Sequence, residues 1–189
     1  MLKSWSRHRR MLIAVVIIAA VIAGFVCEAI SLAYKRSAYP RKFSEYVSAS
    51  AAEFDIPETV IYATIKTESG FDADAVSRAG AVGLMQLMPS TFRWLSDDML
   101  HENLDDSMIS DPQTNIRYGS YLLSWLYGIY GNWDNVFAAY NAGVGNVNSW
   151  LKDPRYSLAG HLTNIPFEET RNYVRRQREN VKTYEKLYY

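Results

Sequence analysis

Glu68 lies in the run VIYATIKTESGFDADAVSRAGAVGLMQLMP, Val60 to Pro89, where helical spacing asks for a hydrophobic residue. Ile61 and Ile65 are one turn apart on one helical face, and Glu68 follows three residues later on that face. Gly70 supplies a stop, so the carboxylate falls in the last turn, near the negative end of the helix dipole. Partial burial and the dipole both disfavour the charged form, which raises the pKa toward that of a general acid. The plainer reading is a solvated glutamate, or one paired with a neighbour such as Lys66. Other chemistries have less support. His8, His101 and His161 are scattered, no cysteine accompanies them and no HExxH pair occurs, so no metal is expected. GxSxG is missing, and GAVGLMQ has neither the spacing nor the lysine of a phosphate loop, so no cofactor is expected either.

The elements that must hold Glu68 are helical. Pro57 and Glu58 open its helix, with Asp55 placed to cap it. Before it, FSEYVSASAAEF puts Phe43, Tyr46, Val47 and Phe54 within reach of one face. A Gly-punctuated loop follows from Gly70 to Gly83, and LMQLMPSTFRWL opens a short helix with a turn or restart at Pro89. DDMLHENLDDSMISD reads as a solvated acidic loop. Asp111-Pro112 is a cap and first-turn proline for a helix through Ile116, Tyr118, Leu122, Trp125, Leu126 and Ile129, ending near Gly131. WDNVFAAYNAG forms another short helix, a loop runs to Pro166, and EETRNYVRRQRENVKTYEKLYY makes a final amphipathic helix through Tyr173, Val174, Gln177, Val181 and Tyr184. No run alternates with period two. The fold class is all-α, one N-terminal transmembrane helix plus one globular domain.

Composition bounds what that domain meets. With 49% hydrophobic and 21% charged residues among 189, disorder is not expected, and 14 Tyr with five Trp suit either a carbohydrate groove or an ordinary core. From Lys35 onward 16 basic residues face 19 acidic ones, a net charge of about −3 that gives no reason to expect nucleic acid. MLIAVVIIAAVIAGFVC, Met11 to Cys27, is an unbroken apolar run behind the basic KSWSRHRR. As a helix it measures roughly 25 Å, enough to cross a hydrocarbon core. The flanking charges place the N-terminus in the cytoplasm and the rest of the chain outside. A cleaved signal peptide is the rival, with Ser31-Leu32-Ala33 as a small-x-small site, and would give a secreted form. Residues 1–34 are thus read as basic tip and anchor, 35–43 as a basic linker and 44–189 as the globular domain. Cys27, the single cysteine, falls in the anchor, so the domain must hold together without disulfides. For an exported carboxylate chemistry, glycan is the abundant target. Glycoside cleavage commonly uses two carboxylates, and Asp72 and Asp74 are the nearest candidates, each in a loop where Asp often serves a turn. If neither partners Glu68, a 2-acetamido group of the substrate can act as nucleophile.

TESGFDADAVSRAGAVGLMQLMPST, DPQTNIRYGSYLL, AAYNAGVGNV and IPFEETRNYV resemble the successive motifs of the soluble lytic murein transglycosylases, within the goose-lysozyme-like group. They occur in family order across roughly residues 43–185. The resemblance implies a compact lysozyme-like fold with a peptidoglycan groove, and it makes Glu68 the single catalytic acid and base. It further implies non-hydrolytic cleavage of the bond between N-acetylmuramic acid (MurNAc) and N-acetylglucosamine (GlcNAc), leaving 1,6-anhydroMurNAc ends. Residue by residue, it assigns Ser77 to the N-acetyl group, Gln86 and Met88 to the glycan cleft, Tyr140 and Asn141 to the AYNAG segment, and Glu169 and Tyr173 to the border of the site. Each also has a structural reading, as turn, cap or core residue. A lysozyme-type hydrolase and a non-catalytic, membrane-tethered wall-binding module are the alternatives. The 189 residues hold no large superhelical domain, which leaves exo-acting preference open and suits cutting within strands.

Overall fold

The apolar run near the N-terminus is helical throughout. A computed structural model describes residues 2–189; Met1 and the side chains of residues 2–6, Lys3 of the basic tip among them, lie outside the described residues. Helix α1, Leu2–Ala38, continues four residues into the segment read as a linker. Its stretch Arg7–Ala38 holds an 18-residue window with a mean hydropathy of 2.8 and is long and apolar enough to cross a membrane. Residues up to Pro40 form one unit and Arg41–Tyr189 a second.

The second unit is mostly helical, as read from the sequence. Helix α2, Ser44–Phe54, ends where Asp55 turns left-handed, with φ 52°. Asp55 therefore closes α2 and does not cap the next helix, whose N-cap is Pro57 in an extended conformation. Helix α3, Glu58–Glu68, is the axis of the domain: every residue from Thr59 to Ile65 is buried. One short helix with both faces covered needs large neighbours. Helix α2 packs against it, and the main cover is α8, Glu168–Tyr188. The α3–α8 seam is closed by Tyr62 stacked on Tyr184, ring centroids 5.3 Å apart, and by Asn180 Nδ2 donating to Thr67 Oγ1 at 2.9 Å.

Between them the chain builds a second layer. Helix α4, Pro89–Arg93, runs into a π-helical turn, Trp94–Met99, and a 3₁₀ turn spans Asp106–Ser110. The acidic stretch read as a solvated loop is thus partly ordered, because Ile109 is buried with Leu87, Phe92, Leu95 and Tyr118, and Met99, Leu100 and Leu104 pack against them. Helix α5, Pro112–Tyr130, starts as its sequence signals predict, with Asp111 Oδ2 accepting from the Thr114 amide at 2.8 Å. It ends on left-handed Gly131, φ 65°. Helix α6, Trp133–Ala142, follows, capped by Asn132. The segment read as a loop to Pro166 instead contains α7, Val144–Lys152, and a hairpin of β1, Ser157–Leu158, with β2, His161–Leu162, paired antiparallel. The hairpin is held by buried Asn135 of α6, which donates to Gly160 O and accepts from the Leu162 amide.

Candidate active site

Glu68 closes α3, and Ser69 takes over the helix end. The Ser69 amide donates to Ile65 O at 3.1 Å, while its Oγ donates to Leu84 O at 2.9 Å and accepts from the Phe71 amide at 3.2 Å. The residue beside the carboxylate therefore also pins the 70–88 loop onto the helix end. That loop folds back on itself through single antiparallel bridges, Val76 to Val82 and Val82 to Leu87.

Its inner turn is held from α5. Fully buried Asn115 accepts from the Met85 amide at 2.7 Å and donates to Val82 O at 3.0 Å and Ile109 O at 2.8 Å. Gly83, with φ 79°, faces that amide, and a Cβ there would lie 2.5 Å from Asn115 Nδ2, so no other residue fits. Met85 presses its sulfur onto Gly119 in the same way. Its carbonyl is thereby fixed as the acceptor for the Tyr140 hydroxyl of α6, at 2.8 Å.

From α8 the Tyr173 hydroxyl donates to Glu68 Oε1 at 2.6 Å, and Gln177 Nε2 donates to the Tyr173 oxygen at 2.8 Å. Burial pushes the Glu68 carboxyl up to about 7, against the opposing effects of the Tyr173 hydrogen bond and the Arg176 charge. Burial first, and then the Glu68 charge, push the hydroxyls of Tyr140 and Tyr173 well above the usual tyrosine range, so both stay protonated. The result is one half-buried carboxyl, half-protonated near neutral pH, flanked by two hydroxyls. Such a group can give and take a proton at one place.

Of the residues singled out in the sequence, Glu68, Tyr140 and Tyr173 converge. Ser77 and Gln86 are engaged within the loop. Ser77 Oγ accepts from the Ala81 amide, and Gln86, with φ 49°, donates from Nε2 to Ala75 O and Gly83 O. Met88 is exposed just before α4, Asn141 half-buried beside Tyr140, and Glu169 exposed in the first turn of α8. None of these five shares a hydrogen bond with Glu68. Asp72 and Asp74 are exposed, and Asp72 Oδ1 accepts from the Asp74 amide, a turn role. Among the described residues, no group of three or more His, Cys, Asp or Glu could hold a metal ion. Ser69, Asn115 and Gln177 went unnoticed as site residues. Two of them carried a signal: Asn115 and Gln177 are polar residues on faces that helical spacing otherwise fills with apolar side chains. Beyond Tyr140 a cleft of about 330 Å³ opens, lined among others by Thr91, Trp94, Leu122, Trp125 and Val144.

A family profile for the transglycosylase SLT domain matches residues 45–160, well over half of the chain. The chain belongs to the transglycosylase SLT domain family. Among its relatives, the soluble lytic murein transglycosylases of Escherichia coli K12 and Salmonella typhimurium LT2 are 35% and 32% identical to it, over 156 and 155 residues. These alignments cover 80% and 79% of this chain but 23% of each relative, so the chain spans about a quarter of their length. Among solved structures, an inactive mutant of the lytic transglycosylase Slt from Pseudomonas aeruginosa superposes with a TM-score of 0.70 at 34% identity, covering 79% of this chain and 25% of that one. The 70 kDa soluble lytic transglycosylase of Escherichia coli gives 0.74 at 29% identity, covering 80% and 25%. The profile match takes in Glu68, the 70–88 loop and Tyr140, while Tyr173 and Gln177 follow it on α8. In this SLT domain, then, the last helix reaches back to complete a carboxyl site whose other parts lie within the matched segment.

Proposed function

We propose that this SLT domain is a lytic murein transglycosylase that cleaves the β-1,4 bond between MurNAc and GlcNAc of peptidoglycan without water, using Glu68 as single acid and base. The observation that carries the reading is Glu68 itself: one half-buried carboxyl poised near 7 and held by Tyr173. The exposed, turn-making Asp72 and Asp74 favour a one-carboxylate mechanism over the usual pair. The names of the relatives point the same way.

In the first step protonated Glu68 donates to the glycosidic oxygen as the C1–O bond of MurNAc breaks and its electron pair leaves with GlcNAc. The N-acetyl carbonyl of MurNAc, positioned with the help of Ser77, stabilises the electron-poor C1. Glu68, now a carboxylate accepting from Tyr173, then takes the proton of the same sugar's 6-hydroxyl. That oxygen bonds to C1, closes the anhydro ring and restores protonated Glu68. The groove residues Gln86, Met88, Tyr140, Asn141 and Glu169 hold the strand so that the 6-hydroxyl, not water, reaches C1. Helix α1 acts as a single-pass anchor in the cell membrane, with its basic tip cytoplasmic and the SLT domain outside, next to the wall.

Mass spectrometry of muropeptides released from purified peptidoglycan tests this directly. Anhydro products one water lighter than the hydrolysed forms are expected from the wild type and none from Glu68→Gln. Reducing MurNAc ends would instead indicate a lysozyme-type hydrolase, and failure to release anything from several wall types a binding module.

A further inference from the structure

The hydrogen bonds around Tyr173 run in one direction. Gln177 is fully buried, and its Nε2 donates to the Tyr173 oxygen at 2.8 Å. A phenol has one hydrogen, and with its oxygen already receiving a donor from Gln177 that hydrogen goes to Glu68 Oε1, 2.6 Å away. A carboxyl whose Oε1 receives a donor places its own proton on Oε2, because a hydrogen on Oε1 would meet the tyrosine hydrogen head-on. Turning the Gln177 amide over would present an acceptor to Tyr173, draw its hydrogen away from Glu68 and release the carboxyl proton to Oε1, the oxygen that faces Tyr173.

We infer that Gln177 is a positioning residue: acting through Tyr173, it directs the proton of Glu68 onto Oε2, the oxygen that serves the glycosidic bond. The inference rests on Glu68 being the acid and extends it one helical turn along α8. The other Gln177 amide atom supports it. Oε1 of Gln177 is buried without a hydrogen-bond partner among the described residues, a cost to stability that a residue kept for packing would not carry. The other ionisable groups that bear on the pair are Arg176 on α8, which favours the Glu68 carboxylate, and Tyr140 on α6, which with Glu68 holds Tyr173 in its protonated form.

The test compares the full chain in detergent micelles as wild type, Gln177→Met, Tyr173→Phe and the double variant. Release from glycan strands is followed across pH, and the Glu68 carboxyl titration by NMR. Gln177→Met keeps the volume and removes the donor. It is expected to lower kcat about tenfold with KM nearly unchanged. The alkaline limb and the Glu68 titration should both move upward, because a donor to the carboxylate is weakened, while Tm stays equal or rises. In the double variant Gln177→Met should add nothing to Tyr173→Phe, since its effect passes through that hydroxyl. Losses that multiply in the double variant, or a Glu68 titration unmoved by Gln177→Met, would overturn the inference. The titration decides it even if no glycan is cleaved. Activity retained in Glu68→Gln, or hydrolysed products, would instead remove the transglycosylase reading and leave the titration result standing.

Discussion

A carboxyl that keeps its proton up to about pH 7 couples pH to rate and to stability in opposite senses. If protonated Glu68 starts the reaction, kcat/KM should be level at mildly acidic pH and fall above about 7, with the fall lost in no variant that keeps Glu68 and Tyr173. For stability the sign follows from the folded value lying above the ordinary 4.5. The folded state holds this proton more tightly than the unfolded chain does. The resulting contribution is fully present below 4.5 and is lost as pH rises to about 7. Glu68→Gln removes the ionisation, so at pH 8 it should be more stable than the wild type by about 2–3 kcal/mol, with little difference at pH 4. Urea denaturation at the two pH values measures this. A variant destabilised equally at both would mean that Glu68 is an ordinary structural carboxylate.

At the scale of elements, the site depends on how the 70–88 loop is fastened. Two polar side chains do most of it: Ser69 from the end of α3 and Asn115 from α5. Asn115→Leu leaves the Met85 amide and Ile109 O without that partner and Val82 O with only the Leu87 amide, which should cost about 3–5 kcal/mol. Ser69→Ala loses the hydroxyl's bonds to Leu84 O and the Phe71 amide at a half-buried position and should cost only about 1–2 kcal/mol. Hydrogen exchange should then quicken in the loop amides while those of α3 remain protected, and activity should fall further than stability does. Gly83→Ala combines a left-handed backbone with a contact on buried Asn115, and thermal denaturation should place it nearer Asn115→Leu than Ser69→Ala.

On the scale of the whole chain, a long exposed apolar helix and a helical domain without disulfides have different solvents. The 7–38 stretch exposes Met11, Ile13, Val15, Ile17 and Phe25 on all sides, and such a surface is stable only when lipid or another apolar phase covers it. If α1 is an uncleaved anchor, the full-length chain should remain with membranes through an alkaline carbonate wash, and a protease outside the membrane should reach the SLT domain. A shorter soluble form cut after Ala33 would identify a signal peptide.

Local signals were legible wherever the chain's own neighbours decide the outcome. Asp111 and Pro112 start α5 and Gly131 ends it because caps and turns depend on a few adjacent residues. Glu68 at the end of a buried helix could be read from spacing alone, and so could its raised pKa, since burial follows from the company of Ile61 and Ile65. Asp55 deceived for the complementary reason: an acid between two helices can close the first or cap the second, and backbone direction decides. Helix α7 and the small hairpin lay hidden in a Gly-punctuated stretch, because their stability comes from contacts such as Asn135 with residues 160 and 162. The acidic stretch is partly ordered by burial of Ile109 and packing of Met99, Leu100 and Leu104, which charge pattern does not report. The proton's surroundings were the least legible of all. Tyr173 meets Glu68 across 105 residues of sequence, and the Tyr173–Gln177 pair, one turn apart on α8, reaches Glu68 only because α8 lies along α3. The sequence by itself determined most of the helices, the apolar N-terminal segment and a glutamate with a raised pKa; the tertiary structure alone decided which hydroxyl faces that glutamate, since a hydrogen bond between residues remote in sequence is set by packing.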